Sequence, residues 1–173
     1  GVVMKHFALN DSEQDRIGLG VWLNEQAARE IYLKAFQAPV EKGNANGVMI
    51  AYTRWGCTWS GGNKPLVTGI LREEWGCDGL IITDNVLTTY VNGVDGVLSG
   101  VSTFDAMMPY VTKLLPKYEK DPVIVNAMRE ACHRNLYAIA NSSGMNGIGK
   151  DTEIKDTGLL VVNVVRTLLI VFG

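Results

Sequence analysis

Cysteine and histidine are scarce in this sequence, and no sign of charge dominates. The three cysteines, Cys57, Cys77 and Cys132, lie far apart in a chain of 173 residues. They make neither the dense, even set of a disulfide scaffold nor the close pairs of a zinc site, so a reducing compartment is the simpler reading. Lys and Arg number 16 against 18 Asp and Glu, a formal net charge of −2. No basic field is available for phosphates, which excludes nucleic acid as an expected partner. Walker spacing, a Gly-x-Gly-x-x-Gly fingerprint and a Gly-x-Ser-x-Gly elbow are all missing, so Gly61-Gly62-Asn63-Lys64 reads as a loop and not as a phosphate cradle. No His, Cys and Asp cluster has metal-ligand spacing, and neither metal nor cofactor is expected. An initiator methionine and a signal peptide are also lacking, and Gly1 falls inside a strand-like run. The expectation is an internal piece of a longer protein, cytoplasmic or membrane-associated.

What is present suits a folded core, with 47% hydrophobic and 20% charged residues. Gly1 to Phe7 is a short apolar run of the buried parallel-strand kind. From Trp22 to Glu41, Leu23, Ala27, Ile31 and Ala35 form one helical row and Ala28, Tyr32, Phe36 and Val40 the next. Pro39 is expected to kink or end that helix in its last turn. Gly47 to Tyr52 is a second run, followed by a loop from Thr53 to Asn63. Pro65 opens a second helix, with Leu66, Ile70, Leu71 and Trp75 on one stripe up to Gly76. Gly79 to Thr83 is a third run, ending at Asp84.

Strand, helix, strand, helix, strand calls for parallel strands joined by right-handed crossovers. The alternation fits an α/β fold, either a doubly wound sheet or an arc of a (β/α)₈ barrel. Further on, Val101 to Met107 reads as a strand and Met108 to Tyr118 as a helix. A last helix begins at Asp121, a fitting N-cap before Pro122, and runs to Asn141 with Ile124, Met128, Ala131 and Leu136 on one side. Ser142 to Asp156 is a linker with a domain boundary near Ser143. Residues 158–173 form an apolar tail containing Asn163 and Arg166. It reads either as the start of a truncated membrane helix or as a buried element of a following domain.

Parallel α/β folds bind ligands where strands end, so the strand ends are the candidates. The first ends in Lys5-His6, the second in Tyr52 with Arg54 beyond it, the third in Asp84-Asn85. A cation, an imidazole, a phenol and a carboxylate on one edge is the polar set that sugar hydroxyls require. Each has a structural alternative. Asp84 could cap a helix near Val86, and Lys5 and His6 could be a salt-bridged lysine and a core histidine. His133 is expected to be a packing residue. Arg72-Glu73-Glu74-Trp75 reads as surface and intrahelical ion pairs at a helix end.

As a set these residues resemble a known family. Lys5-His6-Phe7-Ala8-Leu9-Asn10-Asp11, Asn24-Glu25-Gln26 and Arg29-Glu30-Ile31-Tyr32-Leu33 with Phe36 are similar to the middle of the barrel domain of glycoside hydrolase family 3, the β-glucosidase group. Val48-Met49-Ile50-Ala51-Tyr52 resembles its Met-Ser-x-Tyr-Asn strand. Leu71-Arg72-Glu73-Glu74-Trp75-Gly76-Cys77-Asp78-Gly79 with Thr83-Asp84 resembles its Leu-Arg-x-Glu-Trp-Gly-Phe-x-Gly to Thr-Asp-Trp block. The departures are Asn85 for the tryptophan after the nucleophile, Thr53 for an asparagine and Cys77 for a phenylalanine. The Gly-His-Gly of the family's hexosaminidases is replaced by Ala8-Leu9-Asn10, which disfavours that branch.

The resemblance implies a partial (β/α)₈ TIM-like barrel over residues 1–143, a linker over 144–157 and the tail over 158–173. It implies a retaining, exo-acting β-glucosidase with a carbohydrate substrate and Asp84 as nucleophile. Lys5 and His6 would hydrogen-bond sugar hydroxyls, Met49 would pack on the sugar, Tyr52 would position or hydrogen-bond the nucleophile, and Asn85 would shape the subsite. The acid/base would come from a missing domain of the same polypeptide, leaving this chain inactive alone. The alternative is a non-catalytic carbohydrate-binding or membrane-tethered relative that keeps the barrel.

Overall fold

The computed structural model describes residues 1–86, 90–105, 113, 115–153, 162–163 and 165–168. In chain order the elements are β1 (Val3–Phe7), β2 (Gly20–Val21), α1 (Glu25–Ala27), α2 (Lys34–Glu41), β3 (Gly47–Ile50), β4 (Arg54–Trp55), β5 (Thr58–Trp59), β6 (Leu80–Thr83), α3 (Gly93–Ser99) and α4 (Pro122–Ala140). Wide helical turns with i→i+5 bonding occupy Ala28–Tyr32 and Pro65–Glu74. The fold is α/β. β1, β3 and β6 form a parallel sheet in that order, with Val48 beside both Met4 and Ile81 and Ile50 beside both Phe7 and Thr83.

Apolar side chains from the sheet and its crossover helices make one core. Phe7 is fully buried, with its ring meeting Phe36 edge-on at 5.2 Å and Trp75 at 6.1 Å. Burying a side chain of that size stabilises by about 1.5–3 kcal/mol. Leu66, Val67, Ile70, Leu71 and Trp75 complete the stripe expected of the second helix, and all are buried. Asp121 caps α4 as its sequence position predicts, accepting from Val123 N at 2.9 Å and Ile124 N at 3.2 Å.

Several expectations are corrected. The first helix buries Ala28, Leu33 and Val40, while Ile31 is 65% exposed. The i→i+5 turn at Ala28–Tyr32 shifts the helical phase, so the row through Ile31 faces outward. Pro39, by contrast, falls in the last turn of α2, which ends at Glu41 as the sequence predicts. The expected loop over 53–63 contains a hairpin, β4 with β5, whose first strand also pairs in parallel with β2. The strand expected from Val101 is a single bridge between Thr103 and Ile82, and residues 106–107 lie outside the described set. Most of the helix expected over 108–118 lies outside it too, and Leu115–Tyr118 is a 3₁₀ turn.

On α4, Leu136 is exposed, and His133 is exposed rather than a packing residue. The rest of the expected row turns inward, with Ile124 buried and Met128 and Ala131 half-buried, and polar contacts also tie that helix down. Asn135 bonds Thr103 Oγ1 at 2.8 Å and Ser102 O at 2.9 Å, and Arg134 pairs with Asp78 at 2.6 Å. Arg72 is no surface ion pair. Its half-buried guanidinium donates to the carbonyls of Cys77, Gly79 and Gly100, pinning the start of β6 to the end of α3. Desolvation lowers its pKa to about 10. Most of the 158–173 tail lies outside the described residues. Among the described residues no helix is long and apolar enough to cross a membrane.

Candidate active site

Three parallel strands end on one edge, β1 shifting its register against β3 between Met4 and Phe7, and that edge gathers the polar residues. His6 is the penultimate residue of β1, Tyr52 follows β3 by two positions, and Asp84 follows β6 directly. His6 Nε2 lies 3.3 Å from Asp84 Oδ2, with side-chain exposures of 19% and 16%. Both groups are thus reachable yet largely desolvated. The loop after β1 adds a residue that sequence reasoning missed: Arg16 Nη1 lies 3.6 Å from the same oxygen. Arg16 Cζ also stands 5.1 Å from the centre of the Tyr52 ring, and its Nε pairs with Glu13 at 3.2 Å.

The two oxygens of Asp84 have different surroundings. Oδ1 accepts from Asn85 N at 2.8 Å, which fixes the rotamer. Oδ2 is buried and receives no hydrogen bond among the described residues, although His6 and Arg16 stand within ion-pair range. The nearby groups supply field without capping the oxygen, so its lone pairs stay available to an electrophile. Asp84 Oδ1 is taken by the N–H of the next residue, and the capping alternative, which turns on residues 87–89, lies outside the described residues.

Tyr52 does not touch the carboxylate. Its hydroxyl donates to the backbone carbonyl of Asn85, bracing the turn that carries Asp84 from the peptide side. Burial, then the Asp84 charge, pushes the Tyr52 phenol up to about 12, so it stays a donor. Burial also holds the His6 imidazole below its ordinary 6.5, against the pull of Asp84 and with help from the Lys5 and Arg16 charges. His6 is therefore neutral at neutral pH, which makes Arg16 the cation facing the carboxylate.

Thr53, buried completely, donates to Ala8 O at 2.5 Å and ties the loops after β1 and β3 together. Lys5 is exposed and bonds no described side chain, and Met49 is half-buried on β3 beside Ile82. The structure thus brings His6, Tyr52, Asp84 and Asn85 together with Arg16, with the Lys5 charge acting on His6 and Met49 on the adjacent strand β3. No group of three or more His, Cys, Asp or Glu suited to a metal occurs among the described residues.

A parallel sheet with outer helices and a carboxylate at its C-terminal edge fits an arc of a (β/α)₈ barrel with a polar site in the usual position. The family model described as the glycosyl hydrolase family 3 N terminal domain matches residues 2–101. The chain belongs to glycoside hydrolase family 3, as part of that barrel domain. A probable beta-glucosidase I from Emericella nidulans is 36% identical over 110 residues, 64% of this chain and 13% of the relative. An exo-alpha-(1->6)-L-arabinopyranosidase from Bifidobacterium longum is 39% identical over 84 residues, 49% of this chain and 11% of the relative. The chain therefore spans only 11% and 13% of the length of these curated relatives. Among solved structures, beta-glucosidase 3B from Thermotoga neapolitana aligns with a TM-score of 0.75 at 24% identity, over 83% of this chain and 21% of that one. The Bifidobacterium adolescentis GH3 beta-glucosidase aligns at 0.71 and 24%, over 88% and 22%.

Proposed function

We propose that this chain carries the nucleophile half of a retaining, exo-acting β-glycosidase of the β-glucosidase type, with Asp84 as nucleophile. The observation that carries the reading is the desolvated Asp84 Oδ2 facing His6 and Arg16 without a hydrogen-bond donor on it. In this reading Oδ2 forms a bond to the anomeric carbon of a terminal β-linked sugar as the bond to the leaving oxygen breaks. A general acid protonates that oxygen. The same group, now a base, takes a proton from water, which attacks the anomeric carbon and releases Asp84 as carboxylate.

The roles of the neighbours follow from their chemistry. Neutral His6 and charged Lys5 hydrogen-bond hydroxyls of the bound sugar, and Met49 packs against its apolar face. Tyr52 keeps the Asp84 turn still through the Asn85 peptide. Arg16 stands as the counter-charge that orients Asp84. Asn85 stands where the family's tryptophan would wall the subsite, leaving it wider and more polar. Residues 1–143 form the barrel portion, 144–157 the linker and 158–173 the tail, and the acid/base belongs to a different domain of the longer polypeptide. With relatives named for glucosides and for an arabinopyranoside, the site's sugar is a pyranoside carrying free hydroxyls for His6 and Lys5.

The test is Asp84→Asn in the longer protein. Turnover of an aryl β-glucoside is expected to fall by roughly a thousandfold or more, with the circular dichroism spectrum unchanged. A variant within tenfold of the parent's rate contradicts the assignment.

A further inference from the structure

Arg16 sits in an irregular loop, and what seats it against Asp84 lies one layer out. Arg54, the first residue of β4, grips that loop just beyond Arg16. Its backbone N donates to Leu19 O at 2.8 Å and its Nη1 to Gly18 O at 3.2 Å. The guanidinium stands over Tyr90, with Cζ 4.3 Å from the ring centre. Tyr90 in turn donates its hydroxyl at 2.6 Å to the backbone carbonyl of Tyr52, the residue whose own hydroxyl braces the Asp84 turn.

Gly18 completes the clamp. Its φ is +81°, and a Cβ there would stand 3.3 Å from Tyr90 Cε1 and 3.6 Å from Arg54 Nη1. Only glycine takes that backbone shape without cost and lets both side chains close on the loop. The chain of contacts from Tyr52 through Tyr90 and Arg54 to Gly18 returns at Arg16, which stands over Tyr52 and pairs with Asp84. We propose that Arg54, standing over Tyr90, is a positioning residue that holds Arg16 against Asp84 without touching the site itself. Its importance for catalysis rests on Asp84 being the nucleophile, but the clamp can be read with no sugar present.

The reading uses the chain's two histidines. His6 faces Asp84, Lys5, Arg16 and Glu13, whereas His133 is exposed on α4 and serves as an internal reference. In an NMR titration of the 173-residue chain, Arg16→Ala is expected to raise the His6 midpoint, because the Arg16 charge lowers it. Arg54→Met should reproduce most of that rise, Arg54→Lys less of it, and the Arg16→Ala/Arg54→Met pair no more than Arg16→Ala alone. His133 should not move. The proposal is overturned if Arg54→Met leaves His6 where the parent has it, if the two effects add in full, or if Arg16→Ala itself has no effect. Should Arg54→Met unfold the chain, both imidazoles will titrate together. Tyr90→Phe, which removes one hydroxyl, then decides the matter: a raised His6 midpoint supports the clamp and an unmoved one overturns it. Failure of this test leaves the Asp84 assignment standing, since that is read by sugar chemistry instead.

Discussion

His6 shows how one side chain links folding to chemistry. Its imidazole is desolvated at the end of β1 and held neutral, so protonating it in the folded chain costs more than in the unfolded one. The unfolded chain therefore binds the extra proton as pH falls below 6.5, and stability drops from there down through the lower folded pKa. Urea midpoints measured from about pH 7.5 to about pH 5.5 are expected to fall more steeply for the parent than for His6→Gln. Equal slopes would contradict the shift. His6, Tyr52 and Asp84 were legible because each lies at the end of an apolar run, where parallel folds present polar groups. Arg16 was not. It follows no periodic segment, and its partner comes from a strand far along the chain, so only folding brings the two together. Tyr52 was legible as a site residue but its partner was not, since its hydroxyl bonds a peptide carbonyl and not the carboxylate.

The strands and crossover helices carry the rims on which these groups stand, and one close approach controls their spacing. Gly79, just before β6, lies so near the start of β3 that a Cβ would be 2.1 Å from Asn46 O. Across that contact Leu80 N donates to the same oxygen at 3.0 Å, which starts the β3–β6 ladder. Gly79→Ala is expected to lower stability by about 3 kcal/mol, because backbone atoms and not a flexible side chain must yield. An unchanged urea midpoint would contradict that packing. The alternation of three runs and two helices was plain in the sequence, since each element is long enough to show its period. The i→i+5 turns were not, because they shift the burial phase without leaving a residue signature. β2, β4 and β5 have two residues each, too few for any alternation to register.

For the molecule as a whole, the family and the fold were readable in five blocks of residues, whereas the division of labour between domains was not. A retaining mechanism needs a second carboxyl about 5 to 5.5 Å from the first. On the proposed reading no residue of this chain supplies it. The purified 173-residue chain is thus expected to show no turnover of an aryl β-glucoside in a chromogenic assay, and measurable hydrolysis would contradict that expectation. A leaving group that needs no protonation removes the requirement for the acid and isolates what Asp84 does by itself. The most direct measurement is therefore mass spectrometry of the chain after incubation with 2,4-dinitrophenyl 2-deoxy-2-fluoro-β-glucoside. A fluoroglucosyl ester on the peptide containing Asp84 is the predicted result. A label on another residue, or sugar binding with no covalent label, would contradict it.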